Sequence, residues 1–225
     1  MKVLLLTKEY HWCNEVKEFL FQAFGKENVK VYSSSEKYRK FPIEAREERG
    51  NLLISFLSPW IVPKEVLENF TCSINFHPGP PEYPGTGCYN FALYEEAEVY
   101  GVTCHHITPE VDAGPIIKVI RFPIYKFDTV KTLRDRSLSY LLVLFYEILD
   151  LFLAGKPLST SDEKWKRKAY TRKDLEELCQ IKPEMPLDEI KRRIKAVTYP
   201  GMPGAFVQLA EYIFELKGKK GSIYE

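Results

Sequence analysis

No run in the 225 residues is long and apolar enough to span a membrane; the longest apolar region, residues 138–153, carries Glu147 and Asp150. Neither sign of charge is in excess. The 32 basic residues meet 31 acidic ones, which argues against a broad electrostatic surface for nucleic acid. No G-x-G-x-x-G and no G-x-x-x-x-G-K-[ST] follows the first apolar run, so those dinucleotide and P-loop signatures are missing. No G-x-S-x-G marks a serine elbow. The five cysteines (Cys13, Cys72, Cys88, Cys104 and Cys179) are odd in number, and no C-x-x-C spacing joins them. That excludes a disulfide framework and a zinc ribbon. No secretory apolar core opens the chain, because the run after Met1 meets Lys8. A reducing cytoplasm is therefore the expected compartment. There is no internal repeat and no low-complexity tract.

What is present is a core-forming chain, 45% hydrophobic, sized for one medium domain with a small appendage. Residues 2–7 form a continuous apolar run, as expected of a strand buried on both faces. Asn14 is placed to cap a helix through about Phe24, and Gly25 to stop it. Residues 28–32, 51–57 and 72–76 read as three more strands. A short helix from Pro63 to Phe70 precedes the last of them. This βαβ order predicts an α/β fold with a doubly wound, mostly parallel sheet, Rossmann-like in outline. Residues 99–107 and 115–123 add two strands. Asp128 or Thr129 caps a long amphipathic helix that ends at Gly155, and Thr171 to Asp174 reads as a capping box. The polar residues 159–168 read as a segment leading out of the core. A boundary near Ile181 divides residues 1–180, a catalytic domain, from a small extension, residues 181–225. That extension should hold a helix over 187–197 and a β-hairpin. The apolar stretch 205–216 suits a homodimer contact.

The chemically suggestive stretch is residues 73–85, Ser-Ile-Asn-Phe-His-Pro-Gly-Pro-Pro-Glu-Tyr-Pro-Gly. Alternation puts Asn75 and His77 on one face of a strand, and the prolines end the ladder and stiffen the loop beyond. Polar groups at the C-terminal end of a strand in an open α/β sheet are in the usual place for a site. Asp112 lies in a loop after the next strand. If that strand is parallel, neighbouring C-terminal ends are close and Asp112 reaches His77, where a carboxylate raises the imidazole pKa and fixes its tautomer. The Asn75 amide can then donate to a developing oxyanion. The bland alternative is that all three only satisfy loop backbone. Cys88, at a helix start, offers a rival set, Cys88–His77–Asp112, for a thiol hydrolase. Glycines 85 and 87 can instead admit an anion to that helix start. His105 and His106 are adjacent and point opposite ways, one of them to the core or the site. Cys104 and His106 without a third ligand make a weak zinc proposal, so no metal is expected.

Together, Asn75-Phe-His77, the Pro/Gly loop to Gly85, and Val111-Asp112-Ala-Gly114 resemble the folate-dependent formyltransferases. The wording of the loop is most like the nucleotide-sugar N-formyltransferases. The resemblance implies Asn75, His77 and Asp112 as the catalytic trio and N10-formyltetrahydrofolate as co-substrate. It places the folate between two loops, against Leu57, Pro59, Trp60 and Ile61 and against Glu110, Val111 and Asp112. It implies a nucleotide-linked amino-dideoxy sugar as acceptor, a precursor of surface polysaccharide such as O-antigen. Lys8, Tyr10, Tyr83 and Gly85 are its candidate contacts. Methionyl-tRNA-type formylation and hydrolysis of formyltetrahydrofolate are the alternatives.

Overall fold

The computed structural model describes residues 1–35 and 40–216. A six-stranded sheet, order β2-β1-β3-β4-β5-β6, organises them. Its strands are β1 (Val3–Lys8), β2 (Val29–Ser34), β3 (Gly50–Phe56), β4 (Phe70–His77), β5 (Val99–His106) and β6 (Ile116–Pro123). The first four are parallel. Along β1, Val3 and Leu5 enter the larger core while Leu4 and Leu6 enter a smaller one on the opposite face. That two-sided burial is why β1 is apolar without alternation.

The larger core lies under α1 (His11–Phe24) and α4 (Val130–Leu153). Phe145 of α4 is fully buried and meets Phe56 and Phe76 at ring-centroid distances of 5.9 and 5.5 Å. The opposite face is covered by α2 (Lys64–Leu67) with Trp60 and Val62. Helix α4 starts on a Thr129 capping box, and α5 (Arg172–Cys179) on one from Thr171. Two expected boundaries shift. Helix α1 begins at His11, with Tyr10 at its N-cap and no side-chain cap, because only two residues connect it to β1; Asn14 is inside it. Helix α2 stops at Leu67, and β4 begins at Phe70 rather than residue 72.

The last two strands depart from a parallel arrangement. β5 is antiparallel to β4, and β6 to β5. A parallel return needs a crossover that spans the sheet, usually an α-helix running back along it. The connecting helix α3 (Cys88–Tyr94) has 7 residues. It stays at the C-terminal end of β4, so β5 starts there and runs back down.

Residues 154–171 do not lead out of the core. They fold back across the site end of the sheet. Lys166 N–H donates to Pro81 O at 3.0 Å, Tyr170 N–H to Pro84 O at 2.9 Å, and Thr86 N–H to Tyr170 O at 2.9 Å. The Tyr170 ring stacks on Phe91 at 3.6 Å. The chain then forms a three-stranded sheet from β7 (Gln180–Ile181), β8 (Phe206–Leu209) and β9 (Tyr212–Glu215), with α6 (Leu187–Val197) between. Ile181, Ala196, Val197 and Ala205 are buried in the same core cluster as the main sheet.

Candidate active site

Asn75 and His77 share a face of β4 at its C-terminal end, and the ladder sets Asn75 opposite His105 and His77 opposite Thr103. The loop that follows is held from β5. Tyr100 OH donates to Pro78 O at 3.2 Å and Thr103 Oγ1 to Gly79 O at 2.8 Å. Gly85 turns the loop with φ +83°, a conformation that needs no Cβ. Its N–H then donates to Asp112 Oδ2 at 2.7 Å. Asp112 comes from the 107–115 loop between β5 and β6, so it reaches His77 through a hairpin connection and not from a parallel neighbour. Asp112 is itself left-handed at φ 44°, and Leu57, across the cleft, at φ 55°. Two non-glycine residues in that region flank one cleft, a placement of backbone strain typical of functional sites.

Asp112 is the electrostatic centre. Its side chain is 8% exposed. His77 Nδ1 lies 3.0 Å from Oδ2, and His105 Nε2 lies 3.3 Å from Oδ1. Burial opposes its charge, but the His77 and His105 rings overcome that and hold its carboxyl well below the ordinary value of 3.8. The other ring nitrogen of His77, Nε2, lies 3.0 Å from Tyr83 O. A carboxylate and a carbonyl both only accept, so hydrogen on both nitrogens satisfies this environment. Burial would lower the His77 pKa; the Asp112 charge and hydrogen bond, with the Tyr83 carbonyl, outweigh it and raise the value above 6.5. The ring is therefore held towards its imidazolium form.

The trio lines a cleft of about 600 Å³, and Leu57, Pro59, Trp60, Ile61, Glu110 and Val111 line it too. Lys8 and Gly85 complete part of its rim. A second cleft of about 660 Å³ continues from the first through Lys8, Pro59 and Arg172, and Tyr10 lines this one. Burial, then the nearby Arg134, lowers the Lys8 pKa. Arg134 donates to Tyr10 OH at 3.2 Å and Tyr199 OH at 2.8 Å. Tyr83 is placed differently from expectation. Its ring is buried, stacks on Tyr100 and donates to Glu95 at 3.1 Å, so its contribution to the site is the backbone carbonyl. Asn75 turns its Nδ2 to His105 at 3.0 Å and to Asp112 at 3.4 Å. Cys88 is buried, its thiol pushed up to about 12 by burial, and it faces Pro78 O at 3.9 Å; that is a poor setting for a thiolate nucleophile. Cys104 is buried in the core, and His106 Nε2 faces Leu158 O at 3.2 Å. Among the described residues no three His, Cys, Asp or Glu side chains converge as a metal site.

Two residues escape the sequence reading, and a third, His105, enters it only as one of an adjacent pair. His105 contacts both Asn75 and Asp112, Trp165 closes over the His77 and His105 rings at 5.9 and 5.0 Å, and Arg172 joins the two clefts. The adjacent histidines were a signal for the first. Nothing local signalled the other two, which arrive on the returning segment 154–171 and the helix after it.

An imidazole, a carboxylate and an amide converge at the C-terminal end of β4, beside a proline-stiffened loop, an arrangement capable of acid–base chemistry. Comparison agrees: residues 10–141 match the Formyl transferase family, and the chain belongs to it. A methionyl-tRNA formyltransferase of Geobacillus sp. is 29% identical over 140 residues, 60% of this chain and 44% of the relative. One from Listeria innocua is 27% identical over 189 residues, 83% of this chain and 58% of the relative. The chain thus spans about half the length of these curated relatives. A sugar N-formyltransferase from Shewanella sp. has the same fold, with TM-score 0.74 and 20% identity over 96% of this chain and 97% of that one. The N-formyltransferase of Helicobacter canadensis, solved with folinic acid and dTDP-3-aminofucose, gives TM-score 0.69 and 21% identity over 87% and 80% of the two chains.

Proposed function

We propose that the protein transfers the formyl group of N10-formyltetrahydrofolate to the amine of a nucleotide-linked amino-dideoxy sugar, in the cytoplasm, as a step towards a surface polysaccharide. The observation that carries this reading is that the cleft lined by the trio continues into a second one through Lys8, Pro59 and Arg172. One is flanked by the apolar Leu57, Trp60, Ile61 and Val111 and suits a flat ring system. The other presents Lys8, Arg134 and Arg172 beside Tyr10, Tyr89 and Tyr199, a cationic and aromatic lining suited to a nucleoside diphosphate. The acceptor amine would arrive where the clefts meet.

The folate supplies an activated formyl carbon. His77 holds a proton at Nε2, shared in this structure with Tyr83 O at 3.0 Å; released from that carbonyl, it would serve the oxyanion and then N10 of the leaving folate. Once deprotonated, the same ring takes the proton that the attacking amine must lose. Asp112 keeps its charge throughout and orients His77. The exposed Leu209, Tyr212, Ile213 and Phe214 of the β8–β9 hairpin support a homodimer contact, which sedimentation would test.

The test is incubation with N10-formyltetrahydrofolate and a panel of dTDP-, UDP- and GDP-linked amino sugars, read by mass gain of one formyl group. Gain is expected on at least one sugar and is abolished by His77→Asn, with folate binding retained. Aminoacylated initiator tRNA belongs in the panel because the curated relatives carry that name. Formylation of the tRNA alone, or formate release without any acceptor, refutes the sugar reading.

A further inference from the structure

His105 has no role in the chemistry above, yet it is 2% exposed and stands opposite Asn75 in the β4–β5 ladder. Its Nδ1 lies 2.8 Å from His106 O. A carbonyl only accepts, so Nδ1 carries hydrogen in every state of the ring. The variable atom is Nε2. It faces Asn75 Nδ2 at 3.0 Å and Asp112 Oδ1 at 3.3 Å. These neighbours make opposite demands. An amide N–H requires a lone pair on Nε2, whereas a carboxylate favours a hydrogen there. Asp112, shared with His77 of β4, is the charged group facing His105 from the 107–115 loop. The segment 154–171 contributes the uncharged Trp165 and β6 the uncharged Ile116.

We propose that His105 is a positioning residue that sets which end of the Asn75 carboxamide faces the cleft. The two ends of a carboxamide are nearly isosteric, so a half-turn about the last bond exchanges them without new space. With His105 neutral, Nε2 accepts from Asn75 Nδ2, and the amide oxygen is left for the cleft. With His105 protonated, Nε2–H donates to Asp112 and to the amide oxygen, and Nδ2–H turns outwards. Resting on the formyl-transfer reading, only the second orientation offers a donor to the oxyanion. The site then depends on two imidazoles around one carboxylate, His77 acting on substrate and His105 acting through Asn75.

The test is ¹⁵N NMR of the full chain across about pH 5 to 9, following the His105 ring nitrogens and the Asn75 side-chain amide. The Asn75 signals are expected to move with the same midpoint as His105 Nε2, and to lose that dependence in His105→Phe. With an identified acceptor, His105→Phe lowers kcat about 10- to 100-fold and removes the corresponding limb of its pH profile, while folate Kd stays within about two-fold. His105→Gln keeps an amide partner for Asn75, guards against misfolding of the Phe variant, and should recover part of kcat without that limb. Asn75 signals indifferent to the His105 titration, or a His105 ring that does not titrate across the range, overturn the proposal. Both outcomes are read without turnover. Lack of any formyl transfer would therefore refute the reaction and leave this coupling to stand or fall separately.

Discussion

Replacing Asp112 by Asn isolates what the carboxylate does. In the native protein it accepts from His77 and the Gly85 N–H, with His105 Nε2 at 3.3 Å and Asn75 Nδ2 at 3.4 Å from its other oxygen, in surroundings that leave its side chain 8% exposed. Asparagine keeps the shape and one accepting oxygen. It removes the charge and turns a donor towards either a ring nitrogen or the Gly85 N–H. Breaking one side of a buried pair typically costs about 3–5 kcal/mol, and His77 limits the loss by shedding its proton. A loss of about 3 kcal/mol corresponds to a drop in Tm of roughly 6–12 °C for a chain of this size. The pH dependence carries the stronger test. The His77 pKa is raised, so its stabilisation is fully present below 6.5 and is lost as pH rises through the folded value. The Asp112 pKa is lowered, so its stabilisation is present above 3.8 and is lost as pH falls through the folded value. The difference in Tm between wild type and Asp112→Asn should therefore be largest between 3.8 and 6.5 and shrink in alkali. Thermal melts at about pH 5.5 and 9, with NMR titration of the His77 ring, read this directly. The ring pKa should fall once only the Tyr83 carbonyl is left to oppose burial. Equal Tm losses at both pH values, or an unmoved His77 titration, would refute the reasoning.

Gly79→Ala would bring a Cβ to 2.6 Å from His77 Nε2 and 3.0 Å from Tyr83 O. It should part that hydrogen bond and lower kcat about 10-fold or more, with a Tm change of a few degrees, measured by formylation rate and melting. Cys88→Ser should keep turnover, and wild-type Cys88 should react slowly with iodoacetamide at neutral pH, because burial pushes its thiol up to about 12; loss of activity would restore the thiol mechanism. Phe145→Ala empties the centre of the aromatic cluster with Phe19, Phe56 and Phe76 and should destabilise by about 3–5 kcal/mol in urea titration, without altering the pH profile of turnover.

The parallel half of the sheet was legible because its strands announce themselves twice, as apolar runs and as steps of a βαβ order. The capping boxes at Thr129 and Thr171 were legible for the same local reason. The direction of β5 was not. It depends on whether the helix after β4 is long enough to run back along the sheet, and the Pro/Gly loop of residues 78–87 leads into a helix of only 7 residues. Asn75, His77 and Asp112 could be picked out by residue type and by resemblance, since each sits at the end of an element or in a turn. The meeting of His105 with Asn75 is a matter of cross-strand register, which depends on the antiparallel direction of β5 that the sequence did not reveal. Tyr83 was misplaced because its carbonyl and its ring serve different neighbours, which residue type alone does not reveal.

The returning segment also sets the order in which the molecule can be finished. Trp165 Nε1–H donates to Gly114 O at 2.8 Å, two residues from Asp112, and the backbone at Lys166 and Tyr170 grips the loop after His77 at Pro81 and Pro84. On a ribosome, β1 to β6 and α4 emerge before any of these latches exist. The loop after His77 and the loop of Asp112 then lack these anchors until the residues beyond 164 can fold back over them. The contacts join positions about 50 to 90 apart along the chain, and such distant closures are the slow ones. The site end of the sheet is thus shaped by a segment that emerges after every one of its strands.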